Sequence, residues 1–263
     1  MGKRNLVYIE ALRTFALLGV IFFHVAGMLK GKLTNANIPE FPAIMQTSSY
    51  WVGIAVSLFM FIAGYLYRRP VGKLQIMQFV KKKSMHLLLP YVVFAILIML
   101  TSGFFDFGEL LSGDFWHLWF FTALFWCFIF SLCIDYSSKW GIVILVASLI
   151  CSIVEIPRIL GLSNFVQWFY FFALGAVVKS HPTVMTAIKR NHLWLLLLLM
   201  YVAVKIAIPF HYRQPSIVHT MSDSAAILVL WLIFINLNKI KSGGCFLLSE
   251  KTQWVYTSCI IGY

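Results

Sequence analysis

The sequence predicts an all-α fold: a polytopic transmembrane helix bundle of about eight complete spans plus a truncated ninth, with the N-terminus cytoplasmic. Three observations predict it. First, 61% of the 263 residues are hydrophobic and 11% are charged, whereas a soluble domain is nearly half apolar and about a quarter charged; the mean hydropathy is +0.86. Second, the apolar residues gather in runs, and at about 20 residues per span eight or nine of them consume most of the chain, leaving a single domain over residues 1–263. Third, 21 Lys and Arg oppose 9 Asp and Glu, a formal net charge of +12, and they are unevenly placed. Together these exclude a disordered chain, a fibrous repeat and an ordinary soluble enzyme.

The runs place spans near 9–29, 50–67, 87–104, 116–134, 140–156, 165–178, 192–210 and 222–237, and a ninth begins near 252 and is cut off at Tyr263. The first run follows Met1-Gly2-Lys3-Arg4 as in a signal peptide. No small-residue cleavage site interrupts it, so the first helix is expected to stay attached. Short polar loops join the spans without repeat or low-complexity tract, and one bundle gives every backbone polar group in lipid an internal partner.

With the N-terminus inside, the inner segments hold fifteen basic residues: Lys3, Arg4, Arg68, Arg69, Lys73, Lys81, Lys82, Lys83, Lys139, Lys179, Lys189, Arg190, Lys239, Lys241 and Lys251. The outer side holds five, Lys30, Lys32, Arg158, Lys205 and Arg213, while Arg13 opens the first span. In a soluble protein such an excess would suggest nucleic acid. Here it reads as the cytoplasmic bias of Lys and Arg, and the expected surroundings are the lipid bilayer, with no nucleic-acid partner. The five cysteines (Cys127, Cys133, Cys151, Cys245, Cys259) have no regular spacing. They read as small hydrophobes and free thiols, neither a disulfide frame nor a metal site, so no metal is expected.

Chemistry concentrates in the first span. Ionisable groups inside a membrane helix are costly and mark functional sites by default. Arg13 and His24 are eleven residues apart, nearly three helical turns, which sets them on one face with His24 roughly 16 Å deeper. Glu10 stands three residues before Arg13, within reach of an ion pair. Two structural readings stand beside this one: Arg13 as an interfacial anchor snorkelling to headgroups, and His24 as an interhelical hydrogen-bonding residue. Further along, Arg68, Arg69 and the Lys81–Lys83 run, with His86 and Pro90 after them, form a basic inner segment. It reads equally as headgroup contact and as a phosphate-binding cluster. His117 and Trp119 open the fourth span, where Trp116 and Trp119 also suit an interfacial aromatic belt. Asp223 reads as a helix-start carboxylate or a hydrogen-bond acceptor, and Lys205 as a snorkelling cation.

Four elements in order give the chain a family resemblance. Glu10-Ala11-Leu12-Arg13, then ten residues and His24, resembles the Arg-x10-His signature of the membrane-bound acyltransferase 3 family. The segment from Ser57 to Leu66, with Phe59, Phe61, Gly64 and Tyr65, is similar to its Pro-x-Phe-Phe-x-x-Ser-Gly-Tyr/Phe-Leu stretch, with Ser57 replacing Pro and Ala63 replacing Ser. Trp116-His117-Leu118-Trp119-Phe120-Phe121 resembles the His-Leu-Trp-Phe/Tyr-Leu element. The aromatic run Phe169 to Gly175 resembles the stretch ending in Gly of a later span. Where the family shows Arg-x-x-Arg before Pro, this chain has Lys83-Ser84-Met85-His86, which loses a permanent charge. Thr252 to Tyr256 matches a late family element, with Cys259 where a His would fall. The family has more spans, so the resemblance also predicts a chain short at its C-terminal end.

The resemblance implies transfer of an acyl group, usually acetyl, from cytoplasmic acyl-CoA to a hydroxyl of a cell-surface polysaccharide or a lipid-linked sugar, in a multi-pass protein of a bacterial inner membrane. It implies His24 as catalytic base and Arg13 in donor binding or positioning, with Glu10 supporting. Arg68, Arg69 and Lys83 are candidate CoA-binding residues, and His117 and Trp119 candidate acceptor-binding residues. Acyl-CoA, with acetyl-CoA the first choice, would be the donor substrate and no metal would take part. A second class remains open: a non-catalytic polysaccharide exporter or flippase, or an accessory membrane protein, using the same polar helix face.

Overall fold

The computed structural model describes residues 4–35, 41–103, 107–113, 115, 118–154, 156–157, 159–190, 192–207 and 217–241. All are helix or connecting turn, with no strand among them. The helices are α1 (Arg4–Asn35), α2 (Phe41–Leu66), α3 (Lys73–Lys83), α4 (Leu89–Ser102), α5 (Phe107–Ser112), α6 (Trp119–Ser131), α7 (Lys139–Cys151), α8 (Leu162–Ser180), α9 (Pro182–Arg190), α10 (Leu193–Ala207) and α11 (Ile217–Lys241). The predicted ninth span lies outside the described residues.

Among the described residues four helical stretches are long and apolar enough to cross a membrane: Val7–Leu29, Thr47–Leu66, Lys73–Ser102 and Ile217–Asn236. Helices α8 and α9, bent by 86° at their junction, make a fifth if taken as one broken span. The fold is an all-helical, multi-pass membrane bundle. Fewer helices than the eight predicted spans reach full length. Helices α6 and α7 have 13 residues each and α10 has 15, which at 1.5 Å per residue gives about 20 Å against a hydrocarbon core of about 30 Å. The apolar runs lie where the sequence places them, but turns trim those that form α6 and α7. After α6 the chain turns through Asp135, whose Oδ1 accepts hydrogen bonds from Ser137 N at 3.1 Å and Ser137 Oγ at 2.7 Å.

The third span begins earlier than expected. Helix α3 runs through a π-helical segment, Ser84–Leu88, into α4, so residues 73–102 form one 30-residue stretch. Pro90 explains the π turn: it has no N–H for the carbonyl four residues back, and the wider turn absorbs the missing bond without ending the helix.

Two glycines govern the closest packing. A Cβ on Gly64 of α2 would run into the Phe172 carbonyl oxygen of α8, and one on Gly175 of α8 into the Phe61 carbonyl oxygen of α2. Small residues at such crossings let membrane helices approach backbone to backbone. Around the crossing lie Phe61, Phe172 and Trp231, all buried; the Trp231 ring meets Phe61 at 5.1 Å, Tyr65 at 4.4 Å and Tyr8 at 5.3 Å. Helix α1 pairs antiparallel with α2: Tyr8 stands by Tyr65, and a Cβ on Gly19 would lie 3.1 Å from that of Ala55.

Candidate functional site

Helix α1 carries Glu10, Arg13 and His24 through the stretch Val7–Leu29. Arg13 is half-buried, and the exposed Glu10 carboxylate stands within electrostatic reach of it. His24 is also half-buried, its ring 5.6 Å from that of Phe23. The antiparallel register sets His24, five residues beyond Gly19, level with the stretch of α2 near Tyr50, five residues before Ala55. Arg13 lies nearer the other end of that pair.

The cations predicted for the donor gather around the Arg13 end. Lys83 lies within electrostatic reach of Arg13, and its Nζ sits 3.8 Å above the Phe128 ring and 5.6 Å from that of Phe79. The ammonium is held by aromatic faces, which the basic-cluster reading of the sequence does not anticipate. The Tyr67 ring contacts the same two phenylalanines, at 6.1 Å to Phe79 and 6.2 Å to Phe128. Beside Tyr67, the exposed Arg68 and Arg69 line a cavity of about 190 Å³ with Asp135, Ser137 and Lys179. Lys179 donates a hydrogen bond to the Tyr67 carbonyl oxygen. Tyr67 donates in turn to the Ser131 carbonyl oxygen at 3.0 Å. The hydrogen bonds from Ser137 hold the Asp135 carboxyl below the usual range. Two guanidiniums and an ammonium thus share the cavity with one carboxylate, a balance suited to an anion. Lys179 and Tyr67 escape the sequence reading because each closes an apolar run, where Lys reads as a topology signal.

Trp119, half-buried at the start of α6, stacks on Trp168 of α8 at 5.6 Å with an interplanar angle of 25°. The stack joins α6 to α8, a contact that the spacing of the sequence does not show. His117 lies outside the described residues, as does Trp116.

A second polar group was not legible. Lys205 of α10 and Asp223 of α11 form an ion pair at 2.8 Å, their side chains 9% and 8% exposed. Lys205 therefore does not snorkel, and Asp223 is not a helix-start carboxylate; each satisfies the other inside the bundle. Both are lone charges in apolar runs, and sequence spacing does not show that helices α10 and α11 pack together. Among the described residues no three His, Cys, Asp or Glu side chains gather to hold a metal ion.

No curated protein and no solved structure matches the chain. A family model described as an acyltransferase domain matches residues 6–258, nearly the whole chain, and spans all four motif elements together with the helices that bear Arg13, His24, Lys83 and Trp119. The chain belongs to the acyltransferase 3 family.

Proposed function

We propose that this membrane acyltransferase moves an acyl group, acetyl as the first candidate, from cytoplasmic acyl-CoA to a hydroxyl of a cell-surface polysaccharide or glycolipid, with His24 as general base. The observation that carries the reading is the single helix α1, which holds the half-buried Arg13 and His24 eleven residues apart within one membrane-crossing stretch.

A sugar hydroxyl is a poor nucleophile at neutral pH, and a positioned imidazole accepts its proton as it attacks. The hydroxyl oxygen bonds to the thioester carbonyl carbon, the carbon–sulfur bond breaks, and the proton taken by His24 passes to the departing sulfur. Ester and free CoA thiol are the products. At the other end, Arg13 and Lys83 stand within reach of one another, and Arg68 and Arg69 line a cationic cavity. Guanidinium forks and ammonium groups suit the CoA phosphates, while Glu10 orients Arg13 and His117 and Trp119 serve the acceptor. The fifteen basic residues of the inner segments support an N-terminus in the cytoplasm, and with that orientation the cavity would face cytoplasmic acyl-CoA and His24 the far side. Mass spectrometry of surface glycans from cells with and without the gene tests the reading. Ester-linked acyl groups present only with the gene are expected; identical glycans in both would refute it.

A further inference from the structure

The Lys205–Asp223 pair demands an explanation that packing does not supply. Two charges buried in a bilayer-spanning bundle cost several kcal/mol of desolvation each, and a well-packed apolar pair of similar volume is often as stable or more so. The pair is not isolated. Asp223 belongs to a polar stretch of α11 in which His219, Ser222 and Ser224 are also buried, with His219 within electrostatic reach of the carboxylate. The Lys205 ammonium stands 5.4 Å from the Tyr50 ring and 5.5 Å from the Tyr201 ring. Tyr50 fixes the depth. It lies five residues before Ala55 on α2, the level the α1–α2 register gives to His24, one helix away. Helix α10, which carries Lys205 and Tyr201, has no fully buried residue and packs against α11, which carries Asp223.

We propose that Lys205, Asp223, His219, Tyr50 and Tyr201 form the acceptor subsite, one that takes a hydroxyl-rich sugar unit. The inference rests on the acyl-transfer reading above. A carboxylate accepts hydrogen bonds from adjacent sugar hydroxyls, an ammonium donates to hydroxyl and ring oxygens, and both bonds are strengthened by charge. The tyrosine rings offer apolar faces for a sugar ring and polar edges for its hydroxyls. In the absence of the sugar the two charges neutralise each other; in its presence they turn to the hydroxyls and hold one of them toward His24.

Two full-length variants test this in cells: Lys205→Met with Asp223→Leu, and the charge-reversed Lys205→Asp with Asp223→Lys. A structural ion pair tolerates both, the first because the apolar pair packs and the second because the attraction is restored. A recognition site tolerates neither. The readouts are acyl esters on surface glycans by mass spectrometry, the amount of protein in the membrane and, on protein in nanodiscs, affinity for CoA. At unchanged protein level and CoA affinity, the inference expects ester content to fall at least about tenfold in both variants, since a site built for hydroxyls loses its discrimination when its polar partners go. Wild-type ester content in either variant overturns it. Loss of CoA affinity together with ester in the Met/Leu variant also overturns it, since the pair would then support the bundle as a whole. If wild-type cells carry no gene-dependent ester, the transfer reading fails and takes this inference with it; if only the variants behave as wild type, the subsite alone fails.

Discussion

Arg13 and His24 share a helix, eleven residues and roughly 16 Å apart along its axis, and the proposed function assigns the first to the donor and the second to the acceptor. At this scale the guanidinium is the more easily tested. Arg13→Ala is expected to raise the KM for acyl-CoA by roughly tenfold to a hundredfold, the range of a lost charge-assisted phosphate contact. Arg13→Lys should recover only part, because an ammonium keeps the charge and loses the fork. Steady-state kinetics with varied acyl-CoA reads this, and an unchanged KM in Arg13→Ala would remove Arg13 from donor binding. Ser57 tests the structure without touching the chemistry. It is fully buried, and its Oγ finds no hydrogen-bond partner among the described residues. A buried hydroxyl without a partner costs about 1–3 kcal/mol. Ser57→Ala should therefore leave the melting temperature equal or higher, and a clear fall would show a hidden partner.

At the scale of elements, α2 and α8 are held by Gly64 and Gly175, and any side chain at either position meets a backbone carbonyl that cannot swing aside. Gly64→Val and Gly175→Val are each expected to destabilise the bundle by about 3 kcal/mol or more, at or above the upper end for overpacked cores, seen as a lowered melting temperature and less protein in the membrane. Normal insertion and melting of both would mean the crossing is looser than described. Both glycines stand in motif segments that the sequence shows plainly, one ending span two and one ending the aromatic run. What the sequence does not show is that these two segments touch, because hydropathy places a span in the bilayer without ordering its neighbours. The same gap hid the stacking of Trp119 on Trp168 and the pairing of Lys205 with Asp223. It also hid the aromatic seat of Lys83, whose Phe79 lies one turn away on α3 while Phe128 comes from α6. One local pair at helical spacing was legible, Glu10 with Arg13. The helix through Lys73–Ser102 was half legible, since Pro90 marks the irregular turn but does not reveal that the helix passes through it.

At the scale of the whole molecule, the helical membrane class follows from composition, and the family from four motif elements in order, now matched by a family model over residues 6–258. Helix lengths did not follow, because apolar runs continue through turns that the backbone makes for its own hydrogen bonds. Topology comes from the basic residues. Fifteen in the inner segments against five outside predict that a reporter fused at Lys73 reads cytoplasmic and one fused at Glu109 reads external. The reverse pattern would place the Arg68–Arg69 cavity on the wrong side for cytoplasmic acyl-CoA. The most direct test of the whole account is mass spectrometry of surface glycans from cells expressing wild-type protein or His24→Ala at equal membrane levels. Ester-linked acyl groups are expected with the wild-type protein and their loss in the variant; full acylation in His24→Ala cells would contradict the role of His24 as base.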